Sequence, residues 1–202
     1  MATGGAHPRA IEAIVLAGGA GARFGGNKLT SPWRGGLLID GALAAAFAAP
    51  ARSVMVVTGA DATVAGAARA FAERIGQASR LRIDHAPDHV EGMAATLRAG
   101  IAALPADIDG AFVFLGDMPC VPFAVLPALA DALVSPAQAA APTFRKRRGH
   151  PVLFGRDLFP QLASLTGDQG ARSILDALGD RLALVESADD GVLFDVDTRS
   201  DG

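Results

Sequence analysis

Three stretches of the chain end an apolar run on glycine beside a polar or charged side chain. The first is IVLAGGAGARFGGNKL, Ile14 to Leu29, where a hydrophobic run passes into a glycine tract carrying Arg23 and Lys28. The others are MVVTGA, which reaches Thr58 and Gly59, and FVFLGDMP, which reaches Gly116 and Asp117. Glycines let backbone N–H groups approach an anion closely and form a nest around phosphate oxygens. Arg23 and Lys28, reaching over such a nest, would neutralise the charge of a triphosphate.

Three kinds of glycine-rich phosphate loop fit part of the first stretch. The pattern G-x-x-x-x-G-K-[ST] fails: counted from Gly21 its second glycine is Gly26, Asn27 takes the lysine place, and Lys28 is followed by Leu29, which has no hydroxyl for a metal. The dinucleotide pattern G-x-G-x-x-G begins on Gly19 and Gly21 but meets Phe24 at its last position, with Gly25 one step late. Asp40 lies about 20 residues further on, where that pattern places a ribose-binding acid. That pattern also needs a helix directly after the third glycine, whereas GGNKLTSPWRGG reads as continued loop. The third kind, a long open loop with Arg23 and Lys28 over a triphosphate, fits the order of residues best.

Asp117 follows four apolar residues, and Pro122 opens a predicted helix shortly after, so a helix N-cap is one reading of it. Beside a phosphate loop it is also a metal ligand, because Mg²⁺ on nucleotide phosphates takes one or two carboxylates and keeps its waters. A second carboxylate is available in LFDVDT. There, strand alternation would put Asp195 and Asp197 on one face and Val196 on the other.

The elements that must position these residues alternate β-branched runs with Ala/Leu-rich stretches, the mark of a parallel sheet with crossover helices. Strands are predicted near residues 13–16, 54–58, 81–84, 112–115, 139–144, 151–154, 182–185 and 192–196. Helices are predicted over 38–48, 62–77, 93–104, 122–133 and 171–178. In open α/β sheets ligands gather beyond the carboxyl ends of strands, so the three glycine-terminated runs converge on one crevice. The expected organisation is a disordered segment over residues 1–10 and one α/β domain over 11–202, without internal repeats.

Composition bounds the rest. The 202 residues are half hydrophobic and carry a net charge of −3 with a pI near 5.7, which argues against a general nucleic-acid binder. No apolar run approaches the roughly 18 residues of a membrane span, and MATGGAHPRA lacks the build of a signal peptide. A lone cysteine, Cys120, permits no internal disulfide and no zinc spacing. A cytoplasmic protein without nucleic-acid or membrane partners is expected.

Taken together, these motifs resemble the molybdenum-cofactor nucleotidyltransferases, the MobA-like and MocA-like NTP transferases. LAGGAGARFGGNKL is similar to their loop LAxG-x-S-x-R-hydrophobic-G-x-x-K, GDMP to their metal motif, and DVDTRSD to their DIDTPED or NxNTPED ending. PWRGGLLIDGAL, RRGHPVLF and LTGDQGARSIL also match, so the likeness runs from Ile14 to Asp201. Ala20, Ala22, Phe24, the pair Thr30 and Ser31, and Arg199 depart from the pattern. LAGG is the form common in the guanylyl-transferring branch, whereas GHPV and GDQGAR are typical of the cytidylyl branch, and both bases stay open.

The resemblance implies a single-domain, Rossmann-like, doubly wound and mostly parallel sheet of the nucleotide-diphospho-sugar transferase type. The implied reaction is Mg²⁺-dependent transfer of CMP or GMP from CTP or GTP to molybdopterin, or molybdenum-molybdopterin, with release of pyrophosphate. It further implies catalytic roles for Arg23, Lys28 and Asp117, and nucleotide contacts from Leu16, Ala17, Gly18, Gly19, Gly21, Thr58, Gly59, Gly92 and Met93. Mg²⁺ would be held by Asp117, Asp195 and Asp197. On the acceptor side stand His150, Arg148 and Asp168, and a molybdenum hydroxylase or its chaperone is a partner for the product.

Each acceptor-side residue has a plainer reading. The run Arg145 to Arg148 is a solvated hairpin tip or a contact for an anionic pterin. His150 is a turn residue or a substrate ligand, and Asp168 is a cap for the following helix or a substrate contact. His85 and His89 stand four apart, but Pro87 between them breaks the helix that a metal-binding pair of that spacing needs. Rival functions are transfer to another phosphorylated acceptor such as a sugar phosphate, a dinucleotide-dependent oxidoreductase using Asp40, or a nucleotide-binding accessory protein.

Overall fold

The structure, a computed structural model, describes residues 9–19, 27–167 and 170–196. Its strands are β1 (Ile11–Ala17), β2 (Pro32–Trp33), β3 (Gly36–Leu37), β4 (Val54–Thr58), β5 (Leu81–His85), β6 (Gly110–Leu115), β7 (Ala139–Phe144), β8 (Arg147–Arg148), β9 (Val152–Gly155) and β10 (Leu182–Glu186). The helices are α1 (Leu38–Ala48), α2 (Val64–Arg74), α3 (Met93–Ala102), α4 (Val125–Ala132), α5 (Phe159–Ala163) and α6 (Arg172–Ala177). The main sheet has the order β10-β7-β9-β6-β1-β4-β5, with β8 on the end of β7 and β2–β3 forming a separate ribbon.

β1 lies in the middle of the sheet because every one of its residues is buried. Its side chains alternate between two cores: Ala13, Val15 and Ala17 face one side, Ile14 and Leu16 the other. Burial on both faces is the condition for a parallel sheet. β4 and β6 flank β1 in parallel, with Val15 opposite Val56 and Phe114. Helices α1, α2 and α4 supply the first core through Leu43, Phe71 and Leu126, and α3, α5 and α6 supply the second through Leu97, Leu162 and Leu175. Each large apolar side chain so buried contributes about 1.5–3 kcal/mol, and the carboxyl ends of β1, β4 and β6 stand on this frame.

β9 runs antiparallel to both β6 and β7, with Val152 opposite Val113. Its beginning therefore lies where β6 ends. The sheet is doubly wound and mostly parallel, as expected. Residues 192–196 are a correction: a short 3-10 turn, Asp190–Leu193, is followed by extended chain with no strand partner, so pleat alternation does not place Asp195 and Asp197 together. Val192 is buried because its carbonyl receives the His150 N–H at 2.8 Å, which is docking of a loop and not a ladder. Among the described residues no helix is long and apolar enough to cross a membrane.

Candidate active site

β1 ends at Ala17, and the chain then passes through buried Gly18 to exposed Gly19. Two contacts require glycine here. A Cβ on Gly18 would stand 2.2 Å from Thr96 Oγ1 on α3, and one on Gly59 would stand 2.4 Å from the Gly18 carbonyl oxygen. The ends of β1 and β4 therefore meet backbone to backbone beneath a cavity of about 390 Å³. Gly18, Gly19, Lys28, His89, Met93 and Asp117 are among the residues that line it.

Lys28 is aimed by a local device. Asn27 takes a left-handed conformation and a 3-10 turn, Lys28–Thr30, follows. Buried Leu29 anchors that turn. The Ser31 hydroxyl donates to the Lys28 carbonyl at 2.7 Å, and the Thr30 hydroxyl donates to Asp61 at 3.1 Å. Ser31 thus pins the lysine's backbone, and Thr30 ties the turn to Asp61. Lys28 Nζ reaches Asp117 Oδ2 at 2.8 Å, across 89 residues of sequence.

Asp117 sits in the turn that closes β6, where Gly116 donates to the Leu16 carbonyl at 3.0 Å and Met118 to that of Leu115 at 3.2 Å. Its helix-capping reading is corrected, since α4 begins at Val125, three residues later than expected, with Ala124 at the N-cap. Behind it, the Val196 N–H donates to the Asp117 carbonyl at 3.1 Å. That bond brings the chain just before Asp197 to the metal motif, although Asp197 lies outside the described residues, as do Gly21, Arg23 and Asp168. Asp195 is exposed. Among the described residues no three His, Cys, Asp or Glu side chains form a metal cluster. One carboxylate beside Lys28 in the cavity still suits a divalent ion that completes its shell with phosphate oxygens and water.

Leu16, Met93 and Leu115 also wall a second cavity of about 660 Å³. Arg148, His150 and Arg172 lie around it, with Leu97, Phe154 and Leu175 as its apolar side. The basic run divides: Arg145 and Lys146 take positive φ at the exposed hairpin tip, while Arg148, at its foot, lines the cavity and bonds Asp176 at 2.8 Å. His150 Nδ1 is buried and has no hydrogen-bond partner among the described residues. Burial pushes the imidazole down to about 4, helped by nearby Arg148 and opposed by the Asp117 carboxylate and the Val113 backbone. The ring is neutral at pH 7.

Several expectations change place. The Thr58 hydroxyl donates to the Asp84 carbonyl at 3.0 Å, beside the site, and Ala60 lines the cavity from that strand end. Gly92, with φ of 105°, starts α3 and turns Met93 toward both cavities. Asp40 is not a ribose ligand at a strand end; it lies in the first turn of α1, where its carboxylate takes the Leu37 N–H at 3.3 Å and Arg74 at 3.0 Å. The N-cap of α6 is Ala171, without a side-chain cap. His89 was missed as a site residue, since a histidine after a proline-containing turn gives no local sign of facing the crevice.

Known proteins share this arrangement. The model of the MobA-like NTP transferase domain matches residues 13–182. The molybdenum cofactor cytidylyltransferase of Escherichia coli is 25% identical over 197 residues, 95% of this chain and 93% of that protein. The purine catabolism protein PucB of Bacillus subtilis is 29% identical over 195 residues, 92% and 90% of the two chains. Among solved structures, Rv0371c of Mycobacterium tuberculosis superimposes with a TM-score of 0.75 at 27% identity, covering 96% of each chain. A second structure of that protein, solved as its manganese complex, gives a TM-score of 0.72 at 26% identity over 95% of each chain. With Gly18, Gly19, Lys28 and Asp117 at one crevice and the family model spanning most of the sheet, the chain belongs to the MobA-like NTP transferase domain family and is a nucleotidyltransferase.

Proposed function

We propose that the chain transfers CMP from CTP, or GMP from GTP, to the terminal phosphate of molybdopterin or molybdenum-molybdopterin and releases pyrophosphate. The observation that carries this reading is the convergence of Lys28 and Asp117, 2.8 Å apart, at the mouth of the glycine-walled cavity. The Escherichia coli relative favours CTP of the two nucleotides.

An acceptor phosphate oxygen attacks the α-phosphorus in line, and the bond to the bridging oxygen of pyrophosphate breaks. The attacking group is already anionic, so catalysis rests on positioning and charge stabilisation and needs no strong base. Lys28 and Arg23 neutralise the triphosphate. Backbone N–H groups of Gly18, Gly19 and Gly21 hold its oxygens, with Leu16 and Ala17 beneath. Thr58, Gly59, Gly92 and Met93 border the nucleoside. Asp117, with Asp197 and Asp195, would hold Mg²⁺, which when bound supplies Lewis-acid charge at the α-phosphate.

The second cavity takes the acceptor. Its apolar wall suits a flat heterocycle, Arg148 suits an anionic substituent, and the unpartnered Nδ1 of neutral His150 offers one hydrogen bond. Asp168 would border the same acceptor. The same arginines serve another phosphorylated acceptor, such as a sugar phosphate, in a second reading. The finished cofactor would pass to a molybdenum hydroxylase or its chaperone.

Pyrophosphate release with Mg²⁺, offering CTP, GTP, ATP and UTP separately with and without molybdopterin, tests this. Acceptor-dependent release with CTP or GTP, abolished in Asp117→Ala, is the expected result. Release with a sugar phosphate and none with molybdopterin would move the assignment to the second reading. Tight nucleotide binding with no release for any acceptor would make the chain an accessory protein.

A further inference from the structure

We infer that His89 reads the base of the bound nucleotide as a fixed hydrogen-bond acceptor, and so selects the amino-bearing cytosine over the keto-bearing uracil. The inference rests on the reading that the triphosphate lies against Lys28 and Asp117 in the smaller cavity, which leaves the nucleoside to its other lining residues, His89, Val90 and Met93 among them.

The tautomer of His89 is set by its surroundings. Its Nδ1 lies 3.0 Å from the Ala86 carbonyl oxygen. A carbonyl only accepts, so Nδ1 carries the proton, and in that tautomer Nε2 keeps its lone pair. No described residue hydrogen-bonds Nε2. The Ala86 carbonyl is itself anchored, since Ala86 is fully buried and its N–H donates to the Thr58 carbonyl at 2.9 Å.

The ring has little freedom to turn that lone pair away. His85 packs against it edge to face, with centroids 5.7 Å apart. The Gly59 backbone crowds its Cβ so closely that a methyl group there would stand 2.8 Å away. Val90 and Met93, both exposed hydrophobic side chains, line the same cavity and suit the faces of a base. A lone pair held in such a place pairs with the N4 amino group of cytosine and opposes the O4 oxygen of uracil. A site built around one hydrogen bond discriminates strongly because the wrong ligand leaves a polar group unpaired.

Equilibrium binding in the presence of Mg²⁺ tests the inference with three ligands: CTP, UTP, and the pyrimidin-2-one riboside triphosphate that has hydrogen in place of the 4-amino group. The wild-type chain is expected to bind CTP about tenfold more tightly than the 4-hydrogen analogue, and UTP more weakly than that analogue. In His89→Phe the CTP and analogue affinities become equal, at the wild-type value for the analogue, and His89→Leu gives the same loss of preference. A preserved CTP-to-analogue ratio in the variants overturns the inference, as does equal weakening of all three ligands, which marks a structural role. Wild-type protein that releases pyrophosphate with acceptor but shows no amino preference overturns this inference alone. Wild-type protein that binds no nucleoside triphosphate overturns the functional reading beneath it as well.

Discussion

Replacing Asp117 by Asn acts in opposite directions on metal-free binding and on turnover. In the free protein Lys28 and Asp117 are an ion pair at 2.8 Å, with side chains 12% and 31% exposed. At an effective dielectric of about 20 the gross attraction at that distance is about 6 kcal/mol, an upper bound. Partial exposure and the cost of desolvation reduce the net pair to about 1–2 kcal/mol. A triphosphate arriving without metal must pull Lys28 from that carboxylate and lie beside its negative charge. Asparagine removes both obstacles, so metal-free CTP or GTP should bind Asp117→Asn about tenfold more tightly than wild type. With Mg²⁺ the order reverses, and pyrophosphate release should fall at least about a hundredfold because the carboxylate at the phosphates is gone. Titration calorimetry in EDTA, beside the release assay with Mg²⁺, reads both arms. Unchanged or weaker metal-free binding in Asp117→Asn would refute the view that the carboxylate competes with phosphate for Lys28.

Stability should fall as pH drops from about 6.5 toward 4, because His150 is protonated there in the unfolded chain but held neutral in the fold. The contribution lost is about 2–3 kcal/mol, and His150→Gln should flatten that part of a melting-temperature profile; parallel profiles for the two proteins would contradict it. Gly59→Ala places a methyl group 2.4 Å from the Gly18 carbonyl, so a loss of about 2–3 kcal/mol in denaturant titration should accompany weaker nucleotide binding. Wild-type affinity in that variant would show that the two strand ends do not constrain each other. Glu12 is buried at the far end of β1, accepting from Ser53 and, at 2.8 Å, from Arg52. Glu12→Gln should cost about 2 kcal/mol of stability and leave kcat unchanged, since a neutral amide turns an N–H toward those donors; a changed kcat would tie that end of the sheet to the site.

The crevice was legible where local pattern and tertiary need coincide. β1, β4 and β6 read as apolar runs stopped by glycine because burial on both faces and close approach at their ends demand those residues. The alternation in GVLFDV misled because an apolar residue docked in a loop, Val192 against the His150 backbone, gives the same spacing as a pleat. Asp40 sat at the right distance for a ribose ligand but in the first turn of a helix, where its carboxylate serves the backbone. α5 escaped notice because five residues with a proline in the first turn carry too little periodicity. His89 becomes informative only once its ring is set against a carbonyl three residues back, and no residue pattern reports that contact.

The reversed direction of β9 separates the evolution of the two halves of the crevice. The side that carries Gly18 and Asp117 is made where parallel strands stop, so its glycines are bound to the sheet and tolerate little change. The other side is made where a strand enters, fed by a hairpin whose tip, Arg145 and Lys146, is exposed. Lengthening or recolouring that hairpin reshapes the approach to His150 without moving Lys28 or Asp117.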